Sequence, residues 1–128
     1  MEDRENRVIC ARTRDNLRRT NQQLSQARND VRNLQNRINS KLEVEVENAR
    51  VELLRLRALE LGTTAALRRR SPDLSMLILA QEQRLERAKA QVREARSLLV
   101  GLRAARDSLR ERRKRLEQNM RENNCKPW

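Results

Sequence analysis

The sequence predicts an all-α protein, a long two-helix antiparallel coiled-coil hairpin. Three observations carry this. The 128 residues hold one aromatic side chain, Trp128, with two Gly and two Pro. Arg, Leu, Glu, Gln and Ala dominate, the composition of long helices, and β-branched and aromatic strand formers are scarce. Apolar residues recur every seven positions on either side of one break.

The first helix is expected from about residue 4 to 61. It repeats Cys10, Leu17, Leu24, Val31 and Ile38 at sevens, with the weak intervening positions Thr13, Thr20 and Ala27. Leu34, Ile38, Leu42 and Val46 then run at fours, which reads as a stutter, and the heptad resumes as Val46, Ala49, Leu53 and Leu56. A connection over 62–71 follows. Gly62 suits the left-handed residue that ends a helix. Ser71-Pro72-Asp73 reads as N-cap, first helical residue and dipole-favourable acid.

The second helix is expected over about 72–123, with Pro127 beyond its end and residues 124–128 as a short tail. Its a-type positions are Ile78, Leu85, Val92, Leu99, Arg106, Arg113 and Met120. Its d-type positions are Leu74, Gln81, Ala88, Ala95, Leu102, Leu109 and Leu116. In an antiparallel hairpin, facing core positions must sum to a constant. Leu56 with Ile78, Ala49 with Leu85 and Leu42 with Val92 sum to 134; Val31 with Leu102, Leu24 with Leu109 and Leu17 with Leu116 sum to 133. The agreement makes the whole chain, 1–128, one coiled-coil unit, a rod of roughly 75–90 Å at ~1.5 Å rise per residue. A long parallel dimer competes but must absorb the break. The polar core positions Arg106 and Arg113 face Ala27 and the neighbourhood of Thr20, where their stems can snorkel over small neighbours.

A second apolar seam lies off the main stripe of the first helix: Val44, Val51, Leu54, Ala58 and Leu61. Leu77, Leu79, Leu98 and Val100 lie off the stripe of the second. Two helices cannot bury two seams between them, so the residues point to docking of another helix or another copy. The plainer alternative is a wide stripe with scattered exposed apolar residues.

The net charge is +12, from 30 Lys and Arg against 18 Asp and Glu. The exposed basic patch comprises Arg68, Arg69 and Arg70 in the connection and Arg103, Arg106, Arg110, Arg112, Arg113, Lys114 and Arg115 on the second helix. Such a face can contact nucleic-acid phosphates, an anionic membrane surface or an acidic protein. No aromatics interleave it for base stacking. Acids at helical spacing give the alternative of a solvated, salt-bridged surface. Arg68 to Ser71 is also similar to a basophilic kinase site, although the capping role of Ser71 accounts for it alone.

The chain has no His, which removes His-based catalysis and most zinc and haem ligation. No Gly-rich phosphate loop or convergent acid pair is present, and Glu43, Glu45 and Glu47 point apart on a helix. The expectation is a non-enzymatic protein with no catalytic residue, cofactor, metal or small-molecule substrate. The predicted register sets Cys10 opposite residue 123 or 124, beside Cys125. The two cysteines can close the open end of the hairpin as a disulfide, or remain thiols in a reducing cytosol. The longest apolar run, Leu74 to Ala80, is too short for a membrane span. The first residues lack the apolar stretch of a signal peptide, so the expected location is intracellular and cytoplasmic.

Val8-Ile9-Cys10-Ala11-Arg12-Thr13-Arg14-Asp15-Asn16-Leu17, followed by a long Arg/Leu coil, resembles the start of the Barkor/UVRAG-type coiled-coil subunits of the class III phosphatidylinositol 3-kinase complex. The resemblance implies a coil that pairs with a Beclin-type partner in an autophagy or vesicle-trafficking complex. The family's motif is cysteine-rich, whereas only Cys10 stands here. In shape alone the predicted hairpin is similar to the basic two-helix stalks of flagellar and type III export. The expected work is therefore assembly through helical seams, by self-association as a dimer or with another coiled-coil subunit. The alternative is sequence-independent binding of nucleic-acid phosphates.

Overall fold

The computed structural model describes residues 2–62 and 72–126. The fold is all-α, two long antiparallel helical stretches. Helix α1 spans Glu2–Arg37, a π-turn spans Ile38–Leu42, α2 spans Glu43–Gly62, and α3 spans Pro72–Glu122. The observed limits lie within two residues of those expected. Gly62 is the last residue of α2 and is not left-handed, contrary to expectation. A helix can end without an αL residue, and glycine permits that conformation without demanding it. Ser71, Arg68, Arg69, Arg70 and Pro127 lie outside the described residues. Among the described residues no helix is long and apolar enough to cross a membrane.

The chain divides into two compact units, residues 34–98 and residues 1–33 with 99–128. In unit 34–98, Ala49, Leu53, Leu56, Ile78 and Leu85 form one buried cluster, with Val46 and Leu74 packed against it. These are the residues that the constant-sum register sets face to face. Cross-links between α2 and α3 follow the same antiparallel order. Arg57 pairs with Glu82 at 3.3 Å, Arg84 with Glu45 at 2.8 Å and Arg96 with Glu43 at 2.6 Å. The Gln81 amide, at a core position, donates to the Ala49 carbonyl at 3.4 Å.

The run of apolar residues at fours is resolved in a form the sequence reading did not anticipate. A stutter distributes a change of winding along the helix. Here the change is concentrated in one π-turn, where the Glu43 N–H donates to the Ile38 carbonyl, five residues back. A π-turn accommodates one surplus residue in a helix. The sequence holds one surplus residue: counting back from Val46 and Ala49 by sevens misses Ile38 and Leu34 by one. Ser40 Oγ donates to the Asn36 carbonyl at 2.6 Å, adding a donor where the ladder changes step.

In the unit of residues 1–33 and 99–128 the core is leaner and more polar. Leu17, Leu24, Leu99 and Met120 are buried, but so are Thr13 and Thr20. Thr13 Oγ1 donates to the Ile9 carbonyl at 2.9 Å. Thr20 Oγ1 is buried with no hydrogen-bond partner among the described residues. Helix α3 stops in a Schellman arrangement: Asn124 adopts a left-handed conformation (φ 54°), the Cys125 N–H donates to the Met120 carbonyl at 2.8 Å, and the Asn124 N–H donates to the Arg121 carbonyl at 3.2 Å. The Asn6 amide donates to the Asn123 carbonyl at 3.1 Å. This turn delivers Cys125 to Cys10, and the two form a disulfide with a Cα–Cα distance of 5.5 Å.

Candidate interaction surface

Helix α2 is apolar on two faces. At 100° per residue the stripe Val46, Ala49, Leu53 and Leu56 is centred roughly 150° round the helix from the stripe Val44, Val51, Leu54, Ala58 and Leu61. The first stripe meets α3. Every member of the second is exposed: Val51 keeps 55 %, Leu54 60 % and Leu61 83 % of its surface. The five residues singled out from the sequence thus share one uncovered face. Met76, Leu77, Leu79 and Leu98 on α3 are exposed too, but Gln83, Glu86 and Arg93 interrupt them, so they form no continuous seam.

The charges beside the α2 seam follow from the same geometry. Arg50 and Arg57 border it on one side and Arg55 on the other. Glu47 lies within the seam and pairs with Arg50 at 3.4 Å, and Arg55 Nε donates to Glu52 at 3.0 Å. Two carboxyls are held below the usual carboxylate range. Glu52 is lowered by its hydrogen bond from Arg55, and Glu45 by its hydrogen bond from Arg84 across the helix pair. These are surface contacts, which organise charge more than they stabilise.

The sequence-derived basic patch is less unified. Arg103, Arg106, Arg110, Arg113 and Lys114 fall within roughly 100° of arc on α3, whereas Arg112 and Arg115 lie on other sides of the helix. Asp107 pairs with Arg106 and Arg110, Glu111 with Lys114, and Glu117 with Arg113. The stems of Arg106 and Arg113 are both half-buried; Arg106 Nε reaches Asp107 at 3.2 Å, as expected of a snorkelling side chain, whereas Arg113 Nε is buried without a hydrogen bond among the described residues, 3.8 Å from Glu117. Arg112 and Arg115 are exposed and have no ion-pair partner among the described residues. The charge divides unevenly between the units. Residues 1–33 with 99–128 carry 17 basic and 9 acidic side chains, net +8. The described residues of unit 34–98 carry 10 and 9.

Among the described residues no three His, Cys, Asp or Glu side chains come together as metal ligands. Sequence reasoning missed the π-turn and the left-handed Asn124. The Asn123-Asn124 pair was the available signal for the latter, since Asn tolerates αL. No family model, curated protein or solved structure matches the sequence.

Proposed function

We propose that the chain is a non-enzymatic assembly subunit that docks a further helix on the outer face of α2. One observation carries the reading: α2 has two apolar stripes, and α3 covers only one of them. An exposed apolar seam on a surface helix, here continuous from Val51 to Leu61 and interrupted before Val44 by Glu47, costs solubility and is uncommon unless a partner covers it. The mode is helix against helix, with apolar side chains at heptad spacing as anchors. The resemblance of residues 8–17 to Barkor/UVRAG-type subunits supports seeking the partner among coiled-coil subunits of a lipid-kinase complex. Cytoplasmic residence is part of the proposal, and it requires the Cys10–Cys125 pair to be open to reduction by the glutathione pool. Thiol labelling in fresh extract tests that requirement.

The docking test is light scattering after size exclusion, on nuclease-treated protein, at low and at roughly 0.5 M salt, where exposed charges are largely screened. The expected result is an assembly, with itself or with an added helical partner, that survives salt and is dissolved by Val51→Glu with Leu54→Glu. Both substitutions lie on the exposed face, so the helix pair persists. A double variant that assembles like the parent refutes the reading.

The net +8 of residues 1–33 with 99–128 favours one second reading, binding of nucleic-acid phosphates without sequence specificity. Arg112→Glu with Arg113→Glu then abolishes binding and leaves seam assembly intact. Affinity that does not fall steeply with salt excludes it.

A further inference from the structure

We infer that the occupant of the α2 seam is an amphipathic helix of another chain with acidic residues flanking its apolar stripe, and not a second copy of this chain. The inference rests on the docking reading above and specifies its partner. In paired helices the residues bordering the apolar seam set partner choice by charge. The borders here are Arg50, Arg57 and Arg55, with Glu43 at one end drawn to Arg96 at 2.6 Å. A copy is tested by building the pairing. The antiparallel register that matches the apolar positions sets Val44 against Leu61 and Val51 against Leu54 of the copy. The cross-links already present between α2 and α3 give the rule for flanking residues: their numbers sum to five more or five less than those of the facing core positions. Applied to the copy, the rule sets Arg50 on Arg50 and Arg55 on Arg55 at the centre of the contact, and at its ends Arg57 on Glu43, a carboxylate already engaged by Arg96. A net charge of +12 per chain adds longer-range repulsion. An acidic helix reverses the two central Arg–Arg contacts and the long-range repulsion. Its carboxylates compete with Glu47, Glu52 and Glu82 for the exposed Arg50, Arg55 and Arg57, and its negative charge is steered toward the chain.

The test is a fluorescence-anisotropy titration of the full chain, disulfide intact, against two designed helices of four heptads. Both carry Leu at a and d; one has Glu at e and g, the other Lys. At about 0.15 M salt the Glu helix is expected to bind roughly tenfold tighter than the Lys helix, from several surface charge pairs acting together. Val51→Glu with Leu54→Glu abolishes that binding, and Arg50→Glu with Arg57→Glu inverts the preference. Circular dichroism confirms that each variant keeps its helix content. Equal or tighter binding of the Lys helix to the parent overturns the inference. So does Glu-helix binding that the seam variant leaves unchanged, because that is attraction to basic residues elsewhere. If neither helix binds and the chain alone forms a dimer that the seam variant breaks, the acidic partner is refuted and the docking reading stands. If neither binds and the chain is a monomer indifferent to the seam variant, both fail.

Discussion

At the scale of single residues, three buried side-chain polar atoms among the described residues lack a hydrogen bond (Arg14 Nε, Thr20 Oγ1 and Arg113 Nε), and one helix end carries a repair. Thr20 is fully buried with its hydroxyl unpartnered, at a heptad position where an aliphatic side chain belongs. Replacing a buried unsatisfied hydroxyl by a methyl of the same shape removes a penalty of about 1–3 kcal/mol. Thr20→Val is therefore expected to raise stability by ~1 kcal/mol, read as a shift of the urea midpoint at constant m. An unchanged or lower midpoint shows that the hydroxyl is satisfied. The repair is Asn124, whose left-handed backbone ends α3 and turns Cys125 toward Cys10. The heptads made Thr20 legible as a weak core position, because position alone sets burial there. The bonding of its hydroxyl depends on neighbouring backbone that a repeat pattern does not encode. Asn124 was missed for a related reason: Asn tolerates the left-handed conformation without demanding it, and only the two Schellman hydrogen bonds single this one out.

At the scale of elements, every buried apolar residue lies on a stripe that the heptads mark, from Cys10 through Met120. Periodicity succeeds here because each helix meets its neighbour along one seam, and few competing contacts override it. It fell short at Ile38–Leu42, where spacing at fours fits either a distributed stutter or a local π-turn. Removing one residue distinguishes them. With Ser40 deleted, the heptad runs without interruption from Cys10 to the residue now numbered 56. We expect that deletion to convert the π-turn to α-helix and to leave the melting temperature equal or higher, although deletions inside helices usually destabilise. A large drop means that the surplus residue is needed. The cross-link between α2 and α3 gives a pH prediction. Hydrogen bonding to Arg84 lowers the folded-state Glu45 below its ordinary value of 4.5. A lowered carboxylate adds stability that is complete above the unfolded value and is lost as pH falls through the folded one. The Glu45–Arg84 contribution is thus flat at neutral pH and declines only below about pH 4.5. Acid titration of Glu45→Gln beside the parent should show the two curves converging as the pH falls. Curves parallel throughout that range mean the pair adds nothing.

At the scale of the whole molecule, the candidate surface was half legible. Periodicity gave the five seam residues, since a stripe that is out of phase with the core must face elsewhere. Arg103 to Arg115 form a dense run in sequence, yet helical rotation turns Arg112 and Arg115 away from the other five, and acids at three or four residues' distance engage several of those. Linear density overstated that patch because charge density along a chain is not density on a face. The disulfide acts at this scale as well. It closes a span of 115 residues, and a loop of that order removes unfolded-state entropy worth about 4–5 kcal/mol. Reduction, or Cys10→Ala with Cys125→Ala, should lower the unfolding free energy by most of that amount, a large part of the roughly 5–15 kcal/mol typical of a domain. A loss under about 1 kcal/mol in the denaturation curve shows that the reduced chain is already constrained when unfolded.

The same bond closes residues 10 to 125, in covalent terms, into a ring. One protease cut anywhere between residues 10 and 125 therefore releases nothing. The nicked chain migrates as a single species, its helices still tethered, and comes apart into two fragments only when reductant is added.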